Sequence, residues 1–271
     1  MRRILLHLGL HKTGTTAAQS FLFENRKLIW PHHALVLPYR TRGSGLSEAA
    51  TRYSVYGTHT AQTDFCNQMR NFLGSLDFGA KRGLVLSEEN FSGLRPSRNP
   101  AVGYEAAPDL AVALVGLIRN RFAGQDIDIS IYLSLREREA WLRSLWAHDL
   151  QRTRLLQDFD TYAARLDTVP PLDMVASQVQ ERLPKVEVRT EWLEDLRSEP
   201  FGPGTPFAEF LNLSAEAASQ LVGPTKSNSG LPADILQEFL MLNRSSIDQV
   251  ELDRRKGDLV ETTRENLIGT P

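Results

Sequence analysis

The sequence predicts an α/β sandwich with a central parallel sheet. Two observations predict it. Short apolar, β-rich runs alternate along the chain with segments of helical spacing, and the first run passes through a Gly/Thr loop directly into a helix, the opening unit of a parallel sheet. At 271 residues, 41% hydrophobic and 24% charged, the chain is long enough for one elaborated domain, residues 1–271, with a sizeable buried core.

The elements follow in order. Residues 3–8 form a leucine-rich strand, and residues 17–29 a helix with Phe21, Leu22, Leu28 and Ile29 on or near one face. A second strand at 34–37 is ended by Pro38. Residues 40–60 are rich in Gly, Ser and Thr without evident periodicity, which predicts a loop or lid. A helix is expected over 61–76, and a short buried strand over 83–86 that runs into Ser87-Glu88-Glu89-Asn90. Residues 96–103 read as a loop and 108–122 as a helix. The alternating run 127–135 is a strand, followed by a charged helix over 137–151. Helices are expected at 158–166 and 172–183, a last strand at 186–189, and a helix start at 192–197. Gly202-Pro203-Gly204 and Gly223-Pro224 break the chain before a helix at 233–243, and the charged tail 245–271 is expected to be partly loose.

Composition narrows the function. A net charge of −2 gives no general attraction to nucleic acid or an anionic membrane, so any anion site is local. Cys66 is the single cysteine, which excludes an intrachain disulfide and a thiol-rich metal site and suits a cytoplasmic setting. The apolar run after Arg2 and Arg3 reaches only Leu10 before His11 and Lys12, which favours a buried strand over a signal peptide. No stretch has the roughly 18 apolar residues of a transmembrane helix.

The chemistry concentrates in His7-Leu8-Gly9-Leu10-His11-Lys12-Thr13-Gly14-Thr15-Thr16. Glycines let successive backbone N–H groups turn inward, and the helix start adds free N–H groups with a positive dipole end. Lys12 and the hydroxyls of Thr13, Thr15 and Thr16 complete an anion cradle. Gly9 and Gly14 keep the glycine spacing of a Walker A loop, but Thr15 stands where that loop has its lysine. A magnesium-dependent kinase or NTPase is therefore the lesser reading, beside a non-catalytic nucleotide-binding protein.

The segment H-x-G-x-H-K-T-G-T-T resembles the 5′-phosphosulfate loop of the sulfotransferase superfamily. The resemblance implies a three-layer, P-loop NTPase-like sandwich. It implies 3′-phosphoadenosine 5′-phosphosulfate (PAPS) as donor without a metal, held by His11, Lys12, Thr13, Gly14, Thr15 and Thr16. Lys12 would then neutralise charge on the departing phosphate. The family grips the donor's 3′-phosphate with an arginine at a strand end and a serine eight positions on; Arg136 and Ser144 have that spacing. Looser matches are Ser87 to Phe91 and the late segment Thr225 to Leu231, which would place Lys226 and Asn228 at the nucleotide. An acceptor hydroxyl or amine also needs a base. Glu89 is the first choice and Glu88 the second, because they follow a strand whose carboxyl end faces the cleft, and the pleat lets only one point inward. The expected partner is a small-molecule or glycan acceptor.

Overall fold

The computed structural model describes residues 1–223 and 230–268, with side chains through residue 263. The chain falls into two compact units, Met1–Arg138 with Thr168–Ser227 and Glu139–Asp167 with Asn228–Pro271.

The first unit holds the sheet. Strands β1 (Arg2–His7), β2 (His33–Val36), β3 (Gly83–Ser87), β4 (Ile127–Leu135) and β5 (Glu187–Trp192) lie in the order β2-β3-β1-β4-β5, every neighbouring pair parallel. Central β1 is apolar on both faces, with Ile4, Leu5 and Leu6 all buried, as a strand covered on both sides requires. On one face Leu5, Leu35, Val85 and Tyr132 pack against Phe21 and Leu22 of helix Thr15–Glu24 and against Phe207 and Phe210 of helix Thr205–Leu211. Helix Leu172–Arg182 packs against β4 and β5 and against helix Ala107–Arg121, which in turn meets helix His59–Ser75. Layers of helix, sheet and helix result.

Topology positions the site. From β1 the chain moves two places to one side to form β2; from β3 it moves two places to the other side, past β1, to form β4. Right-handed crossovers in opposite directions put the connecting helices on opposite faces. The carboxyl ends of β1 and β3 therefore diverge, leaving the crevice where α/β sheets bind ligands.

Three expectations need correction. The helix expected over 17–29 breaks at Asn25, whose buried side chain donates to Val222 O and accepts from Val222 N, both at 2.9 Å. Residues 40–60 are not a loop: they form helices Pro38–Gly43 and Leu46–Tyr56. Leu46, Ala49, Ala50 and Tyr53 are buried at helical spacing, a pattern masked by the surrounding glycines and hydroxyls. The tail is helical as well, over Gln249–Ile268. There Arg254 pairs with Glu251 and Asp258, and Arg255 with Glu251, at the three- and four-residue spacings that support a polar helix.

The second unit is helical throughout its described elements. Lys256, buried, donates its ammonium to Leu150 O and Thr153 O at 2.7 and 2.8 Å, closing the last carbonyls of helix Arg138–Arg152. Tyr162 donates to the buried Asp149 at 2.8 Å. No helix among the described residues is long and apolar enough to cross a membrane.

Candidate functional site

The loop after β1 is shaped by its own side chains. Lys12 adopts φ 68° and Gly14 φ 90°, both left-handed, so the backbone curls back on itself before helix Thr15–Glu24. A Cβ on Gly14 would also approach Leu193 Cδ1 to 2.7 Å, so this position excludes side chains twice over. Thr13 donates to Leu10 O at 2.6 Å and receives a bond from Ser134 at the same distance, since its single proton is already committed. Both threonines 13 and 15 are buried, whereas Thr16 is exposed. Their hydroxyls thus serve the loop's form, while Lys12 is half-buried. No side chain caps that helix and no carboxylate stands in its first turn, so its N–H groups and dipole remain directed at the loop.

Arg136, at the end of β4, clamps this loop by donating Nη1 to Lys12 O at 2.9 Å. Its Nε is buried without a hydrogen-bond partner, and the nearest carboxylate oxygen, of Glu194, is 3.8 Å away. Burial lowers the guanidinium's pKa, with Glu194 opposing. The guanidinium therefore has a donor left over, as an anion site on this loop requires, although Glu194 partly neutralises it. Ser144 lies on helix Arg138–Arg152 in the second unit, whereas Arg136 belongs to the first. Lys226 and Asn228 lie outside the described residues.

The two consecutive glutamates differ completely. Glu88 is fully buried; it accepts from Thr41 Oγ1 and, at 3.0 Å, from Asn90 N, capping the 3-10 turn Glu89–Ser92. Both its oxygens are engaged structurally. Glu89 is half-buried beside the loop. Desolvation, then the neighbouring Glu88, push its pKa above the usual carboxylate range, while the Thr15 hydroxyl, Lys12 and Arg42 pull it back. The turn is tied to the loop by Glu88 N donating to His7 O at 3.1 Å, and by Ser92 donating to Gly9 O at 3.1 Å. Glu89 is thus a proton-affine carboxylate held on the same rim as Lys12.

The histidines take other roles. His7 is buried, stacked on Tyr132 and bonded to Ser87 Oγ at 2.7 Å, and burial lowers its pKa to about 3, so it stays neutral in the core. His11 receives order from Tyr104, whose hydroxyl accepts from His11 N at 2.9 Å. Burial raises the Tyr104 pKa, and the Glu89 charge adds to that.

Sequence reasoning missed Thr41, Ser92, Tyr104, Ser134 and Glu194, which shape the rim. None carries a local motif: Ser92, Tyr104 and Ser134 meet the loop itself, Thr41 meets Glu88 and Glu194 meets Arg136, at separations of up to 121 residues for Thr13 and Ser134. The arrangement can bind an anion at the β1 loop and take a proton at Glu89. Comparison with protein-family models, with curated proteins and with solved structures finds no match for this chain.

Proposed function

We propose that the chain is a cytoplasmic, PAPS-dependent sulfotransferase acting on an acceptor hydroxyl, on a three-layer fold of P-loop NTPase-like kind. The observation that carries this reading is the pairing of Glu89 with Lys12. A carboxylate of raised proton affinity stands on one strand end and a lysine in a left-handed loop stands on the next, across the topological switch point. The donor, when bound, supplies the sulfuryl group. Lys12 and the open N–H groups of helix Thr15–Glu24 offset negative charge on the departing phosphate. Glu89 takes the proton that the acceptor oxygen loses as it bonds to sulfur. Arg136 holds the loop at Lys12 O and sets its guanidinium charge beside the phosphate site. The lone Cys66 accords with a reducing compartment.

The test is calorimetric titration with adenosine 3′,5′-bisphosphate in metal-free buffer, beside ATP with and without magnesium. Metal-independent binding of the bisphosphate, weakened at least tenfold by Lys12→Ala or Arg136→Ala, is expected. Absence of binding, or preference for magnesium-ATP, would overturn the reading.

A further inference from the structure

The helices formed by residues 38–56 border, with the turn after β3, an open pocket of about 340 Å³ lined by Arg42, Ser47, Glu48, Thr51, Arg52 and Asn90. Its size is at the small end for ligand pockets, enough for one monosaccharide-sized molecule. It adjoins the base: Asn90 follows Glu89 directly, and the Arg42 charge lowers the Glu89 proton affinity. Asn90 donates Nδ2 to Ser47 Oγ at 2.6 Å, fixing the wall nearest Glu89.

The two arginines are differently engaged. Arg52 is held by Asp64 at 2.6 Å. Arg42 is exposed, lines this pocket, and has no hydrogen-bonded or ion-paired side-chain partner among the described residues. A planar guanidinium so placed matches a carboxylate in two-point geometry. Glu48 on the same wall disfavours a doubly charged phosphate, and Thr51, whose hydroxyl proton goes to Ser47 O at 3.0 Å, keeps its oxygen as an acceptor for a hydroxylated ligand.

We infer that this cavity is a binding site for a hydroxylated carboxylate of monosaccharide size, anchored by Arg42 so that a hydroxyl reaches Glu89. The inference rests on the sulfotransferase reading for its consequence, namely that the acceptor is a uronic-acid-like compound, but the binding itself does not need the donor.

The probes are p-nitrophenyl β-D-glucuronide and p-nitrophenyl β-D-glucoside, which differ in having a carboxylate or a hydroxymethyl group. Each is titrated calorimetrically into the full chain, with and without saturating adenosine 3′,5′-bisphosphate. The glucuronide should bind at least tenfold more tightly than the glucoside. Arg42→Ala should abolish that preference while leaving the glucoside unchanged, and Arg42→Lys should retain part of it. Equal affinities, a preference that survives Arg42→Ala, or binding of neither sugar would overturn the inference. Arg42 is exposed, so loss of fold is not the expected cause of a change, and circular dichroism of each variant checks this. If the bisphosphate fails to bind while an Arg42-dependent preference persists, the cavity stands and the sulfotransferase reading falls. If the bisphosphate binds and the preference is absent, the reverse holds.

Discussion

The two rims of the sheet treat an arginine in opposite ways. At the amino end Arg2 spends every N–H of its guanidinium: Nη1 on Phe78 O and Arg82 O, Nη2 on Gly79 O and Ala80 O, and Nε on Gln125 Oε1. It stitches the segments that lead into β3 and β4 onto β1, with Phe122 beneath it. At the carboxyl end Arg136 makes a bond to Lys12 O and buries its Nε with none. There Lys12 sits in left-handed backbone, and Glu89 is held where its charge is disfavoured. One rim is saturated and the other is left with unspent polar capacity. Such local dissatisfaction persists only where the surroundings over-determine it, and it clusters at functional sites.

The comparison breaks if substitutions at the two rims act alike. The largest effect is expected at Glu89. Glu89→Gln should lower the single-turnover rate of sulfuryl transfer by about 10²- to 10⁴-fold while leaving bisphosphate affinity within a factor of two. An unchanged rate would remove Glu89 as the base. Next, Arg2→Ala should cost about 2 kcal/mol in urea unfolding, the scale of losing charged hydrogen bonds to backbone carbonyls that are partly solvated, with bisphosphate affinity unaltered. Weakened nucleotide binding in that variant would show that the rims are coupled.

The smallest and most diagnostic effect is on pH-dependent stability. Because the folded-state pKa of Glu89 is raised, the native state holds its proton longer than the unfolded chain does. Stability contributed by this group is therefore fully present below the ordinary carboxylate pKa and is lost as pH rises through the raised value. Thermal melts of Glu89→Gln should match the wild type at low pH and exceed it at neutral pH. A variant less stable than the wild type at neutral pH would contradict the burial argument. The acid limb of activity should accordingly lie above the ordinary carboxylate range.

Much of this was legible in the chain. All five strands were located to within a few residues: those buried on both faces are uninterrupted apolar runs, as at Ile4 to Leu6 and Gly83 to Leu86, whereas edge strand β5 is polar and only partly buried. The loop was legible because its two glycines and its lysine all fall within the short segment Gly9 to Gly14. Asn25 was not, because the helix break depends on Val222, almost two hundred positions away. The helix Leu46–Tyr56 was missed for another reason: its buried face uses Ala49 and Ala50, too small to stand out against neighbouring Gly, Ser and Thr. Which of Glu88 and Glu89 turns toward the rim follows from Thr41 and Asn90 N, which hold Glu88, and only the second of these is local.

The sheet order also governs how the chain must be assembled. β1 is the central strand, yet it is made long before the strands that flank it, which begin at Gly83 and Ile127. During synthesis at roughly 5–20 residues per second, both of its edges stay open for several seconds, carrying the apolar run Ile-Leu-Leu at residues 4–6. Contacts of such long sequence separation slow folding and expose unpaired edges on the way. The nascent chain is thus most prone to aggregate before β4 emerges, and fragments that end short of residue 127 are expected to be the least soluble pieces of this protein.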